Sequence, residues 1–295
     1  MKLVTSTESP VRKVGVEDTI KILARAGFDA LDWSFFDMWD EKDIWCQDDW
    51  RESAKRIRKL CEENGLTVVQ AHAPFPTSGD TAEYDERAMK LILRAMEAAS
   101  IMGATQIVVH PLQHVSYAKH AKLLYDQSVA LYKSLIPYCK QWNIRVCAEN
   151  MWQYDKRREY IVDSICSQPD EFNALLDEVN SPWIIGCLDL GHSALVGVEP
   201  ADFIRAMGNK RLQALHVHDV DWKHDNHDMP FVRKQNWADI TKALGEIDYQ
   251  GDFTFEADRW QARMPAELLE AASVMLAQVG RYLIGKVEEN RPSGR

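Results

Sequence analysis

The sequence predicts a single closed (β/α)8 barrel, and three observations lead there. Eight short β-rich runs alternate with eight longer stretches of helical spacing, and no Pro-, Gly- or Ser-rich linker interrupts them. No glycine-rich phosphate turn follows an early strand, as an open doubly wound sheet would usually display. The strands are read at 3–5, 28–33, 67–72, 106–110, 144–149, 184–189, 212–218 and 252–257. The helices are read at 16–26, 49–64, 83–102, 118–142, 169–179, 200–207, 237–247 and 265–284. Pro200 and Pro265 stand where a first helical turn tolerates proline, and AG, NG and MG pairs close helices before the next strand. The barrel is expected over 1–287, followed by a polar tail, EENRPSGR at 288–295, that frays.

Composition narrows the function classes. The chain has 295 residues, 46% of them hydrophobic, enough for one sizeable core. A formal net charge of -10 repels phosphate backbones and anionic lipid, so neither nucleic acid nor membrane is expected as a partner. No apolar run approaches the roughly 18 residues of a membrane span. The opening MKLVTSTESP lacks a basic stretch followed by an apolar one, so no secretory signal is expected. Six cysteines without a CxxC pair read as reduced thiols, and the compartment expected is the cytoplasm.

In such a barrel chemistry gathers at the carboxyl ends of the strands. The third to eighth strands finish as VVQAH, QIVVH, RVCAE, IIGCLD, QALHVHD and FTFE, bringing His72, His110, Glu149, Asp189, His216 and Glu256 to one rim. Alternation turns these side chains inward: Cys147 and Glu149 share a face, as do Ala214, His216 and His218, and Thr254 and Glu256. A single His or Asp at a strand end is usually a hydrogen-bonded rim residue or a helix cap. Three carboxylates buried together are different, because mutual repulsion and desolvation cost several kcal/mol unless a cation is present. Three carboxylates with one imidazole and no thiolate favour Mn2+ first, then Mg2+ or Co2+; two or three Zn2+ ions fit if His72 and His110 also ligate. The stretch LHVHDVDWKHDNHDMPF, 215–231, holds four histidines and four aspartates. His216 is expected as a ligand and His227 in the pocket at a substrate or second metal, with His224 and Asp228 in solvent. The loop WSFFDMWDEKDIW carries five aromatic residues, among them Trp33, and reads either as a sugar-covering lid or as a core cluster or dimer contact.

These residues carry a resemblance. The motifs QAHAPF, IVVHP, CAEN, LDLGH, LHVHD, the H-x-x-P at His227–Pro230 and YQGDFTFE resemble those of the sugar phosphate isomerase/epimerase superfamily, the xylose isomerase-like TIM barrels that include ketose 3-epimerases and endonuclease IV. The epimerase likeness implies one divalent ion held by Glu149, Asp189, His216 and Glu256, with Glu149 and Glu256 as the acid/base pair. It implies substrate contacts from His192 and from the acidic position six beyond the first Glu, here Asp155, which is one methylene shorter than the family's residue. His72, His110, His227 and Trp33 complete the expected substrate wall. The endonuclease likeness implies extra zinc ligands in His72, His110, His192, Asp225 and His227. The function expected is a metal-dependent isomerase or epimerase acting on a sugar or polyol-derived ketone through an enediolate. The rivals are a lyase on the same chemistry (a keto-polyol dehydratase or C-glycoside-cleaving enzyme), an abasic-site nuclease, and a non-catalytic sugar-binding barrel.

Overall fold

A computed structural model describes residues 1–292. Eight parallel strands form one sheet: β1 (Leu3–Ser6), β2 (Ala30–Ser34), β3 (Thr67–His72), β4 (Gln106–Val108), β5 (Arg145–Glu149), β6 (Ile184–Asp189), β7 (Leu212–His216) and β8 (Phe253–Phe255). Their lateral order is β8-β1-β2-β3-β4-β5-β6-β7. The seam between β7 and β8 is closed at the rim by a bridge between Val217 and Phe255, with the Val217 amide donating to Thr254 O (2.8 Å) and the Glu256 amide to Val217 O (3.1 Å). The expected (β/α)8 barrel is therefore present, and its closure lies beside His216 and Glu256.

The helices follow the apolar spacing that announced them. Val16–Ala26 and Pro169–Val179 begin and end as expected, and Trp50–Glu63 lies between its caps Asp49 and Asn64. The helix expected to stop at Met207 breaks at Gly208, whose φ of 63° leaves helical space. The last helix runs Leu269–Glu289, past the expected end at 284, because Leu283, Ile284 and Val287 continue its buried stripe. The start of the expected tail is accordingly tied down, with Arg291 Nη2 donating to Tyr249 O at 2.9 Å; 293–295 lie outside the described residues. Gly280 lets this helix approach the β1–β8 junction, where a Cβ would stand 2.4 Å from Leu3 Cδ1 and 2.7 Å from Phe255 Cε2.

Two short helices at the rim, Leu190–Leu195 and Asp258–Ala262, and an antiparallel hairpin, Trp152–Asp155 with Tyr160–Asp163, were not anticipated. The main apolar core lies between strands and helices, while Val108, Cys147, Ile185, Cys187 and Ala214 fill the barrel axis. All six cysteines are free thiols. Among the described residues no helix is long and apolar enough to cross a membrane.

Candidate active site and metal centre

Above the axial plug the inward residues become ionisable. Glu149 ends β5, Asp189 ends β6 and His216 ends β7, while Glu256 follows β8 by one residue; all four are buried. His216 Nδ1 lies 2.7 Å from Glu149 Oε1 and 3.5 Å from Glu256 Oε2. His110 Nε2 stands 2.9 Å and His72 Nε2 3.6 Å from the other Glu149 oxygen, Oε2. Donor atoms of His72, His110 and Glu149, of His72, His216 and Glu256, and of His192, Asp225 and His227 each gather within 4.8 Å, a spacing that one ion can bridge.

Asp189 is oriented by its surroundings. Its Oδ1 accepts from the His192 amide at 2.7 Å, capping the helix Leu190–Leu195, and both oxygens lie 3.0 Å from His218 Nε2. Gly191 in LDLGH is required by this contact: a Cβ there would stand 2.1 Å from His218 Cε1. Asn150 fixes the same strand end, accepting from the Asp189 amide (2.7 Å) and donating to Asp189 O (2.9 Å). His192 Nδ1 meets Asn150 O at 2.9 Å, leaving Nε2 for a ligand, and His72 Nδ1 is likewise committed to Ala73 O at 2.8 Å.

Charge is unevenly held across this cluster. Burial alone would raise the Glu149 carboxyl, but His216, His110 and His72 outweigh it and hold that group well below the usual range. Burial dominates at Glu256 and pushes its carboxyl well up despite His216 and His227. Desolvation brings His110 down to about 4, so its imidazole is neutral. Asp189 is buried too, yet His192 and His218 bring it to about 2.

The other expected positions divide. His227 reaches the site: its Nδ1 lies 2.8 Å from Glu256 O, its Nε2 3.0 Å from Asp225 Oδ2, and its ring stacks on His218 at 4.0 Å. His224 is exposed against Asp221, as expected. Asp228 is not in solvent; it is fully buried between Arg233 (2.6 Å) and Arg263, which ties the 217–236 loop to the helix after β8. Asp155 does not come to the cluster. Its Oδ1 accepts from the amides of Arg157 (2.9 Å) and Arg158 (3.1 Å) and so caps the hairpin turn. Trp33 points to the helix side of β2, only 2% exposed and edge-on to Trp45; Phe36 instead faces the site, edge-on to His72 at 4.6 Å. The aromatic loop is thus chiefly core, with Trp33, Phe35 and Trp45 buried.

One inward residue escaped the sequence reading. Asp32 of β2 is buried with Oδ2 3.4 Å from His216 Nε2, and accepts from Gln70 Nε2 at 2.9 Å. Its parity, two before Ser34, was the available signal.

Comparison with known proteins agrees with the barrel fold. A family model described as the xylose isomerase-like TIM barrel matches residues 20–278. An uncharacterized protein, y4fM, of Sinorhizobium fredii (strain NBRC 101917 / NGR234) is 21% identical over 261 residues, covering 82% of this chain and 81% of that protein. Among solved structures, a D-tagatose 3-epimerase-like protein superposes with a TM-score of 0.74 at 18% identity, covering 98% of this chain and 99% of that one. A D-psicose 3-epimerase solved in the presence of D-fructose gives 0.73 at 17% identity, covering 97% and 100%.

Proposed function

The chain belongs to the xylose isomerase-like TIM-barrel family, and from that premise we propose that it is a divalent-metal-dependent isomerase or epimerase of a sugar or related hydroxy-ketone. The observation that carries this reading is the convergence of two buried glutamates on one imidazole nitrogen, with Glu149 Oε1 and Glu256 Oε2 at 2.7 and 3.5 Å from His216 Nδ1. The residues fit a metal. Donor atoms of His72, His216 and Glu256 and of His72, His110 and Glu149 each gather within 4.8 Å, and three buried carboxylates with an imidazole suit Mn2+, with Mg2+, Co2+ or Zn2+ also accommodated. Glu149, Asp189, His216 and Glu256 would hold it. When bound, the cation supplies the positive charge that makes a hydrogen beside a ketone acidic enough for a carboxylate to remove.

The chain's own groups do the proton work. One glutamate takes the proton and the other returns one: Glu149 is held ionised by its histidines, while burial makes Glu256 the stronger base, able to bind and release a proton during turnover. Return to the same carbon from the opposite face inverts that centre, and return to the neighbouring carbon exchanges aldose for ketose. His192, anchored through Nδ1, and His72 and His110 are placed to meet substrate hydroxyls, and His227 borders Glu256. The net charge of -10 and the buried histidines suit a small polar substrate better than DNA, and free thiols suit a cytoplasmic enzyme.

One observation favours a second reading. The groups His72–His110–Glu149 and His192–Asp225–His227 could hold further ions, as an endonuclease IV-like nuclease would require. The experiment is incubation of the metal-loaded protein with a ketose panel in heavy water, followed by NMR. Deuterium uptake beside the carbonyl supports the isomerase or epimerase. No uptake with cleavage of abasic DNA overturns it for the nuclease, and uptake followed by loss of water or an aglycone overturns it for a lyase.

A further inference from the structure

A cavity of about 680 Å³ opens sideways from the site, bounded by Phe75, Tyr84, His110, His114, Trp152 and Tyr154 among others. It touches the chemistry at one edge. His110 Nε2 is 2.9 Å from Glu149 Oε2, the Phe75 ring centre lies 4.9 Å from that of His110, and Trp152 stands edge-on to His192 at 6.2 Å. None of Glu149, Asp189, His216 or Glu256 lines it. A carbonyl compound reacting between the two glutamates therefore leaves this space to whatever else the substrate carries. Its size falls within the roughly 300–1,000 Å³ that encloses drug-sized ligands, more than a single sugar ring fills.

We propose that this groove is a subsite for a second sugar ring, so that the substrate is a keto-sugar bearing a glycosidic unit rather than a free monosaccharide. The inference rests on the isomerase or epimerase reading and names its substrate class. The chemistry of the walls selects a sugar. Phe75 and Tyr154 are 39% and 53% exposed, whereas Trp33, Phe35 and Trp45 of the neighbouring loop are buried. Exposed flat rings accept the C–H face of a pyranose. Between them stand hydroxyl and imidazole groups that match its edge: Thr77, Ser78 and His114, whose Nδ1 is 3.2 Å from Ser78 Oγ and whose Nε2 is left for a ligand.

The groove is also preformed. Its far wall is the hairpin Trp152–Asp155 with Tyr160–Asp163, and two glutamines pin that hairpin to the loop after β4. Gln113 Nε2 donates to Trp152 O (2.9 Å) and Ser164 Oγ (2.8 Å). Gln153 accepts from the Tyr117 amide (2.9 Å) and donates to Val115 O (2.8 Å). Trp39 braces the near wall, stacking on Tyr84 at 4.7 Å and donating from Nε1 to Phe75 O at 3.0 Å. A wall fixed before binding loses little freedom when it is occupied.

The test is calorimetric titration of the Mn2+-loaded protein with D-fructose, maltulose and isomaltulose, the last two being D-fructose carrying a glucosyl unit on O4 or O6. At least one disaccharide is expected to bind tenfold or more tightly than D-fructose. Tyr154→Ala, which removes a platform, and His114→Trp, which fills the groove, are each expected to abolish that gain while leaving D-fructose affinity and the unfolding temperature unchanged. Equal affinity for all three sugars, or a gain that survives both variants, overturns the subsite. Tighter binding of an O-benzyl ketose than of either disaccharide overturns it in favour of an aromatic substituent. Deuterium uptake read on the same samples separates the two levels. Exchange into D-fructose without a disaccharide preference overturns the subsite alone, while a variant-sensitive preference without exchange upholds the subsite and overturns the reaction. Binding of none of the three overturns both.

Discussion

In the lower barrel interior, a row of in-register side chains on β2, β3, β4 and β5 buries a carboxylate by passing hydrogen bonds sideways. Gln70 Nε2 donates to Asp32 Oδ2 (2.9 Å), Gln106 Nε2 to Gln70 Oε1 (2.8 Å), and Arg145 to Gln106 Oε1 (2.8 Å) and Gln213 Oε1 (2.6 Å). Two layers higher, at the rim, Glu149, Asp189 and Glu256 are buried among six imidazoles, with His216 Nδ1 2.7 Å from Glu149 Oε1 and 3.5 Å from Glu256 Oε2. Amides and a guanidinium neutralise the lower row from within the protein. Among the described residues Glu149 pairs with imidazoles and with no arginine or lysine, and those imidazoles must choose among competing oxygens. The lower row meets its charge with amides and a guanidinium, leaving Asp32 Oδ1 alone without a partner, whereas the rim crowds three carboxylates against imidazoles, the arrangement a cation would relieve.

Substitutions sharpen that contrast. The largest effect is expected from Glu149→Gln, which removes a proposed ligand and the proposed proton acceptor together. Metal content by elemental analysis should fall, and ketose exchange in heavy water should drop by roughly 10²–10⁴-fold. Next comes Asp32→Asn, at the junction of the two layers. Asp32 Oδ2, 3.4 Å from His216 Nε2, favours the proton on that nitrogen and so leaves Nδ1 for the cation. Loss of the carboxylate should weaken metal affinity by about 10–100-fold in a chelator-competition titration. Arg145→Met should act on the lower row alone. It leaves the Gln106 and Gln213 oxygens without their donor and should cost about 1–3 kcal/mol in denaturant unfolding, with metal content unchanged. The smallest effect is expected from His224→Ala: its ring is exposed and pairs only with Asp221, so stability should move within about 0.5 kcal/mol and metal binding not at all.

The rim was legible because strand alternation is local. Knowing that RVCAE, IIGCLD and QALHVHD are strands is enough to turn Glu149, Asp189 and His216 inward, and the structure places them on one face. The same alternation applied to ALDWS turns Asp32 inward and Trp33 outward; a reading that began at the third strand passed over it. What was not legible depends on how loops and short turns fold back on the barrel, which periodicity does not encode. Asp228 is buried because Arg233 and Arg263 arrive from two different elements. The hairpin at 152–163 is two four-residue strands with a polar turn, too short for periodicity to announce, and its capped turn is what draws Asp155 away from the cluster. His218 was left open among the histidines of its loop, and only the close approach allowed by Gly191 shows that it serves Asp189.

The central claim is that the rim is built to exchange protons for a cation. Burial first, for Glu256, raises its carboxyl; for His216, whose burial opposes the charge, the facing Cys187, Glu256, Glu149 and Asp32 prevail and raise the imidazole. Both groups thus hold their protons to higher pH than usual, a cation must displace them, and affinity should rise as pH rises. The direct measurement is calorimetric titration of the metal-stripped protein with Mn2+ in two buffers of different ionisation enthalpy, repeated across neutral pH. The result expected is at least one tight equivalent bound with net release of protons, lost in Glu149→Gln. Absence of binding, or binding without proton release and indifferent to that substitution, would contradict it.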